Sequence, residues 1–186
     1  MALSWNEIKE RAIAFSKKWE DTTDENADAK PFLVDFFNIF GVSDRRVNSF
    51  EHRVTKRNGR NGYIDMLWKG NILIEMKSRG KDLDRAYQQA TDYFDGLKEY
   101  DLPKYILVCD FHTFRLYDLE ADKTFEFTLD QLYKRVNLFG FIAGYSSKVE
   151  LKEQDPVNIK AAEAMAKLHD SLKEIGYDGH DLELYL

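Results

Sequence analysis

Apolar residues first recur at helical spacing: Trp5, Ile8, Ala12, Phe15 and Trp19 form one stripe of an amphipathic helix whose other faces are charged. The polar stretch DTTDENADAK breaks that period. The dense apolar run PFLVDFFNIFG then reads as a second, largely buried helix stopped by a glycine C-cap at Gly41, and Pro31 either opens this helix or kinks it. Next the period drops to two. Ser49 to Thr55, Tyr63 to Trp68 and Ile72 to Ser78 are strand candidates divided by NGRNG and KGN, together an antiparallel meander. Helical spacing returns from Leu83 to Leu97, with Asp82 as N-cap and Leu83, Tyr87, Ala90 and Phe94 on one face. KYILVCD is almost continuously apolar, as suits a strand covered on both faces. FRLYDL and TFEFTL alternate like strands, and Leu129 to Val136 reads as a short helix. This order predicts an α/β sandwich built on a mixed sheet flanked by helices.

The end of the chain differs in kind. VNIKAAEAMAKLHDSLKEIG predicts a strong helix with Pro156 near its start and Gly176 near its end, and GHDLELYL reads as the opening of another. The expected division is a folded domain over 1–145 and a helical segment over 146–186, the chain being read as a piece of a longer protein. FGFIAGY, where the two meet, is expected to pack closely against the sheet.

Composition narrows the function classes. The 186 residues hold ample apolar and aromatic side chains for one core. Cys109 is the one cysteine, so no internal disulfide forms, and a reducing compartment is expected. No run of about 18 apolar residues exists and the N-terminus is charged throughout, so the expectation is a soluble, cytoplasmic protein without a membrane partner. The net charge of −6 argues against binding nucleic acid through an overall field, so any DNA contact must be local. Arg45, Arg46, Arg53, Lys56, Arg57 and Arg60 cluster with only Asp44 and Glu51 opposing them, and Lys77, Arg79 and Lys81 follow. Such a run is either a solvated loop or a phosphate-binding patch. In the second case Arg53, Lys56, Arg57, Arg60, Arg79 and Lys81 are the DNA-contacting candidates.

The chemistry concentrates in GYIDMLWKGNILIEMKSRG, where charged Asp65, Glu75 and Lys77 interrupt apolar strands. Buried charges cost several kcal/mol unless paired or metal-bound. Glu75 and Lys77 lie two apart and share a face. If Lys69, Gly70 and Asn71 form a three-residue loop, Trp68 pairs with Ile72, Met66 with Ile74, and Asp65 opposes Glu75; a two-residue loop separates the acids onto opposite faces. Converging carboxylates repel unless a divalent cation lies between them. Mg²⁺ suits such a pair, with the Met76 carbonyl as a further ligand, and Lys77 can position or help deprotonate a water. A surface ion pair would carry the same letters. His52, His112, His169 and His180 are scattered without cysteine partners, which gives no zinc site, and no phosphate-binding Gly-x-x-x-x-Gly-Lys-Ser/Thr loop is present.

Asp65, Glu75 and Lys77, in the order helix, strand, hairpin, helix, strand, resemble the PD-(D/E)XK nuclease superfamily, with Ile64 where proline is usual. Gln89 and Tyr93 match the QxxxY element of RecB-like members, which implies that they orient the catalytic lysine and contact DNA; simple packing beside Phe94 is the alternative for Tyr93. An upstream helical glutamate that assists at the metal is also implied, with Glu25 the leading counterpart and Glu51 the second. Beyond the superfamily, MALSWNEIKERAIAFSKKWED, KPFLVDFFNIFG, IEMKSRGKDLDRAYQQATDYF, LPKYILVCDF, FGFIAGY and NIKAAEAMAKLHDSLK are similar to the N-terminal region of MmeI-like (Type IIL/IIG) combined restriction endonucleases and adenine methyltransferases. That resemblance implies a Mg²⁺-dependent endonuclease domain acting on double-stranded DNA, with Mn²⁺ able to substitute. It implies a helical connector from 146 onward, then methyltransferase and target recognition domains in the same polypeptide. S-adenosylmethionine would belong to that methyltransferase domain, since this chain has no Gly-rich cofactor loop or NPPY tetrapeptide. One site per chain implies a transient dimer on DNA for double-strand cleavage. The competing readings are a stand-alone RecB-like repair nuclease and a non-catalytic DNA-binding or docking module.

Overall fold

The computed structural model describes residues 3–42, 49–55 and 61–144. The expected helix 157–176 and the GHDLELYL segment lie outside these residues, as do Arg45, Arg46, Lys56, Arg57, Arg60, His169 and His180. Helix α1 (Trp5–Trp19) begins at a capping box in which the Ser4 hydroxyl accepts from Glu7 N–H while the Glu7 carboxylate accepts from Ser4 N–H. Its stripe buries Ile8, Ala12, Phe15 and Trp19.

Helix α2 (Glu25–Ile39) starts six residues before Pro31, so Pro31 lies inside the helix and does not open it. Asp24 caps it by accepting from Asn26 N–H. An interior proline costs about 3 kcal/mol. Burial of Phe32, Leu33, Phe36 and Phe37 just beyond it offsets that cost, at about 1.5–3 kcal/mol per side chain. The helix ends in a Schellman turn: Gly41, at φ +73°, donates to Asn38 C=O and Val42 donates to Phe37 C=O.

Six strands follow in sheet order β1 to β6: β1 (Ser49–Thr55), β2 (Asn61–Trp68), β3 (Ile72–Met76), β4 (Tyr105–Cys109), β5 (Thr113–Asp118) and β6 (Lys123–Thr128). All neighbours are antiparallel except β3 and β4, which run parallel because helix α3 (Leu83–Asp92) carries the chain across the sheet between them. This is the expected mixed α/β sheet. Two boundaries are shorter than expected. Strand β3 stops at Met76, although Lys77 N–H still reaches Cys109 C=O at 2.8 Å. Helix α3 stops at Asp92 and gives way to a 3₁₀ turn at Phe94–Gly96, where the backbone meets β1: a Cβ on Gly96 would sit 2.5 Å from Thr55 O.

Both faces of the central strands are covered, and every residue of β3 and β4 is buried. On one face α1, α2 and the short helix α4 (Leu132–Arg135) enclose a core rich in Phe15, Phe32, Phe36, Phe114 and Phe139. On the other, α3 covers Leu67, Leu73, Ile106 and Val108 with Leu83, Ala86, Ala90 and Tyr93. Residues 139–144 of the FGFIAGY segment pack on the sheet as expected, Phe139 and Ile142 being buried and Phe141 stacking on Tyr105 at 4.0 Å. No helix among the described residues is long and apolar enough to cross a membrane.

Candidate active site

The site is set by hairpin register. Lys69, Gly70 and Asn71 form the loop, Gly70 taking φ +68°, and Trp68 pairs with Ile72, Leu67 with Leu73 and Met66 with Ile74. One step further, Asp65 comes level with Glu75. Instead of continuing the ladder, the Asp65 side chain enters it: Oδ2 accepts from Met76 N–H at 2.7 Å. Side-chain alternation breaks at the same point, since Ile64 and Leu67 pack in the α3-side core while Met66 packs in the opposite one. In extended backbone a residue's N–H and C=O leave by the same edge, so the Met76 carbonyl also leaves toward Asp65.

Glu75 and Lys77 stand on the α3 side of this kink. Glu75 is 1% exposed; its Oε1 accepts from Lys77 Nζ at 2.8 Å and from Gln89 Nε2 of α3. Its Oε2 is buried with no hydrogen-bond partner among the described residues. Burial, followed by the negative charge of Asp65, pushes the Glu75 carboxyl up to about 8. Burial works against the Lys77 ammonium, yet the charge and hydrogen bond of Glu75, with Glu25 and Asp65 behind, hold it above the ordinary lysine value.

Glu25, the first residue of α2, reaches the same place: Oε1 lies 3.4 Å from Lys77 Nζ and Oε2 accepts from Ser78 N–H at 3.1 Å. Gln89 reaches the lysine through their shared partner, Glu75 Oε1, and its amide also donates to Tyr93 Oη at 2.8 Å. Tyr93 corrects one expectation. It is 1% exposed and its hydroxyl donates to Tyr63 C=O at 2.9 Å, so it supports Gln89 from the core and presents no surface to DNA. Burial and then the Glu75 charge push its phenol up to about 12. Two residues at the site escaped sequence reasoning, Ser78 and Asp110, because their partners are distant backbone amides. Asp110 Oδ2 accepts from Gly80 N–H at 2.8 Å, and its Oδ1 accepts from His112 and Thr113 N–H.

Of the basic candidates, Arg53 and Lys81 are exposed. Arg79 is half-buried, with its guanidinium donating to Glu20 C=O at 2.6 Å, so it serves the fold rather than a free phosphate-binding surface. It lines a cavity of about 600 Å³ with Ile13, Ser16, Lys17, His112 and Tyr133, a cavity that contains none of Asp65, Glu75 and Lys77. Glu51 lies on β1, at a position whose side chain is outside the described set.

The orphaned Glu75 Oε2 tests whether a metal fits. A buried carboxylate oxygen without a donor, on a side chain that also feels the charge of a second carboxylate, is costly in two ways, and a divalent cation between Asp65 and Glu75 would relieve both. The donor set is hard oxygen throughout. Among the described residues no three His, Cys, Asp or Glu side chains converge as a ready cage. Two carboxylates, a carbonyl and waters form the type of site that Mg²⁺ uses.

Known proteins share this architecture. DNA methyltransferase A of Bacillus subtilis (strain 168) is 24% identical over 152 residues, which are 79% of this chain and 16% of that protein. Among solved structures, a cryo-EM structure of a DrdV–DNA complex is similar with a TM-score of 0.50 at 16% identity, over 73% of this chain and 14% of the other. That likeness is one of fold. This chain thus spans only a small part of the length of these relatives. The model of the MmeI N-terminal domain matches residues 10–175. By that match, over most of its length, the chain belongs to the family of MmeI N-terminal domains.

Proposed function

We propose that this domain is the Mg²⁺-dependent endonuclease part of a combined restriction and modification protein, hydrolysing phosphodiester bonds of double-stranded DNA in the cytoplasm. The observation that carries the reading is the buried Glu75 Oε2, without a hydrogen-bond partner among the described residues, on a carboxyl that feels the charge of Asp65 and holds Lys77 through its other oxygen. Family membership supports it, as do relatives whose names speak of DNA methylation and of a DNA complex.

In this reading Asp65, Glu75 and the Met76 carbonyl hold the metal, and Mn²⁺ can replace Mg²⁺. A metal bound there supplies a Lewis acid for the phosphate and a more acidic water. Lys77, held protonated, donates to the attacking water and offsets charge growing on the phosphate; it is a donor first and not the resting base. Gln89 fixes the Glu75 oxygen that Lys77 uses, and Tyr93 fixes Gln89. Arg53 and Lys81, joined by Lys56, Arg57 and Arg60, contact phosphates. Phosphate contacts carry affinity but little sequence information, so site choice belongs to a target recognition domain elsewhere in the protein. Residues 1–145 form the nuclease domain and 146–186 start the connector to an N6-adenine methyltransferase domain that uses S-adenosylmethionine. Concerted cleavage of both strands calls for a transient dimer on DNA.

The test is plasmid cleavage by the full-length gene product in Mg²⁺, native beside Lys77→Ala, with DNA binding measured in parallel. Cleavage by native protein and binding without cleavage by the variant support the reading. Equal cleavage by both sinks it.

A further inference from the structure

The loop that leaves β3 is held at every backbone amide from Lys77 to Gly80. Lys77 N–H donates to Cys109 C=O at 2.8 Å, Ser78 N–H to Glu25 Oε2 at 3.1 Å, Arg79 N–H to Thr23 C=O at 3.1 Å and Gly80 N–H to Asp110 Oδ2 at 2.8 Å. The anchors come in turn from the end of β4 and from the start of α2. Contact with α2 is reciprocal, because Glu25 N–H donates back to Ser78 Oγ at 3.3 Å. It has the form of a capping box, here made between segments 53 residues apart. The second Glu25 oxygen lies 3.4 Å from Lys77 Nζ, further than the 2.8 Å from that nitrogen to Glu75. Both Glu25 oxygens therefore face donors. A cation taken by Oε2 would compete with the Ser78 amide for that oxygen, and one taken by Oε1 with the Lys77 ammonium.

We infer that Glu25 is a positioning residue, which sets Lys77 by anchoring the Ser78 amide, and that it is not a ligand of the metal. The second half of this inference rests on the metal-site reading; the first half does not. Its physical basis is that a catalytic group displaced by about 1 Å loses about a hundredfold in rate, and four consecutive anchored amides leave Lys77 little room to move. Glu25→Gln keeps an amide oxygen for the Ser78 N–H and loses the charge. Glu25→Ala loses both.

The experiment compares native chain with Glu25→Gln, Glu25→Ala and Asp65→Asn in two readouts: hydrogen exchange of the Ser78 amide without metal, and Mn²⁺ binding. Exchange at Ser78 should quicken about tenfold or more in Glu25→Ala and stay near native in Glu25→Gln, since only the first variant leaves the amide without its acceptor. Mn²⁺ should bind both Glu25 variants with native stoichiometry and within about twofold of native affinity, whereas a lost ligand contact would cost far more. In cleavage by the full-length protein, Glu25→Ala should lower kcat with KM unchanged, and Glu25→Gln should recover a large part of that loss. Unchanged Ser78 exchange in Glu25→Ala overturns the anchoring role. A loss of Mn²⁺ affinity in Glu25→Gln comparable with that in Asp65→Asn overturns the exclusion from the metal. If native chain binds no Mn²⁺, the metal-site reading fails with its corollary for Glu25, and Ser78 exchange still decides the anchor.

Discussion

The two faces of the sheet are built for different purposes. On the α1 and α2 side, phenylalanines meet at close range: Phe15 and Phe32 at 4.9 Å, Phe32 and Phe111 at 5.0 Å, Phe36 and Phe139 at 5.2 Å. Each buries a large apolar area and adds edge or tilted ring contact. On the α3 side one ten-residue helix covers aliphatic residues with its own alanines, and beside it lie buried Glu75 and half-buried Lys77, with half-buried Gln89 on the helix itself. The contrast teaches where stability and chemistry are stored. Charges that penalise folding sit on one face, and the opposite face supplies the surplus that carries them.

That separation can be broken by substitution. Lys77→Ala should lower cleavage about a thousandfold, roughly 4 kcal/mol of transition-state stabilisation, while urea unfolding changes far less. Phe36→Ala should do the reverse, costing about 3–5 kcal/mol in urea unfolding while folded protein keeps native Mn²⁺ affinity. A Phe36→Ala protein with weakened Mn²⁺ binding would mean that the two faces are not independent.

The pH dependence sharpens the same contrast. Without metal, folded Glu75 keeps its proton up to about 8, against an ordinary value of 4.5 for the free side chain. The folded state thus binds more protons than the unfolded state across this interval. The contribution to stability is whole below 4.5, falls as pH rises and is lost beyond about 8. Thermal melts of metal-free protein should show a falling Tm over that range, which Glu75→Gln flattens and saturating Mg²⁺ offsets most strongly at the alkaline end. A smaller effect tests the aromatic side alone. Gly41→Ala should cost about 1 kcal/mol or more in urea unfolding, because its φ of +73° suits glycine and a Cβ would sit 3.0 Å from Leu3 Cδ1. Cleavage should be untouched.

Much of this was legible in the chain. The Lys69-Gly70-Asn71 loop fixes the register that brings Asp65 level with Glu75, and a period of two then assigns Glu75 and Lys77 to one face. The continuous apolar run of β4 announced a strand buried on both sides. What stayed hidden is tertiary. Pro31 could open α2 or lie within it, and burial of Phe32, Leu33, Phe36 and Phe37 carries the helix through it; the turns gained at its start bring Glu25 to Lys77. Nor does a local pattern mark the close approach of Gly96, beyond the end of α3, to Thr55 of β1, far away in sequence. The Ser78 and Asp110 side chains accept from backbone amides, which every residue but proline carries, so no sequence pattern marks them.

The most direct test of the account is anomalous diffraction from crystals of this chain soaked in Mn²⁺, native beside Asp65→Asn. The account predicts one peak in native crystals, bounded by Asp65, Glu75 Oε2 and the Met76 carbonyl with Glu25 still on the Ser78 amide, and loss of that peak in the variant. A peak elsewhere, or none at this pair at saturating Mn²⁺, would contradict it.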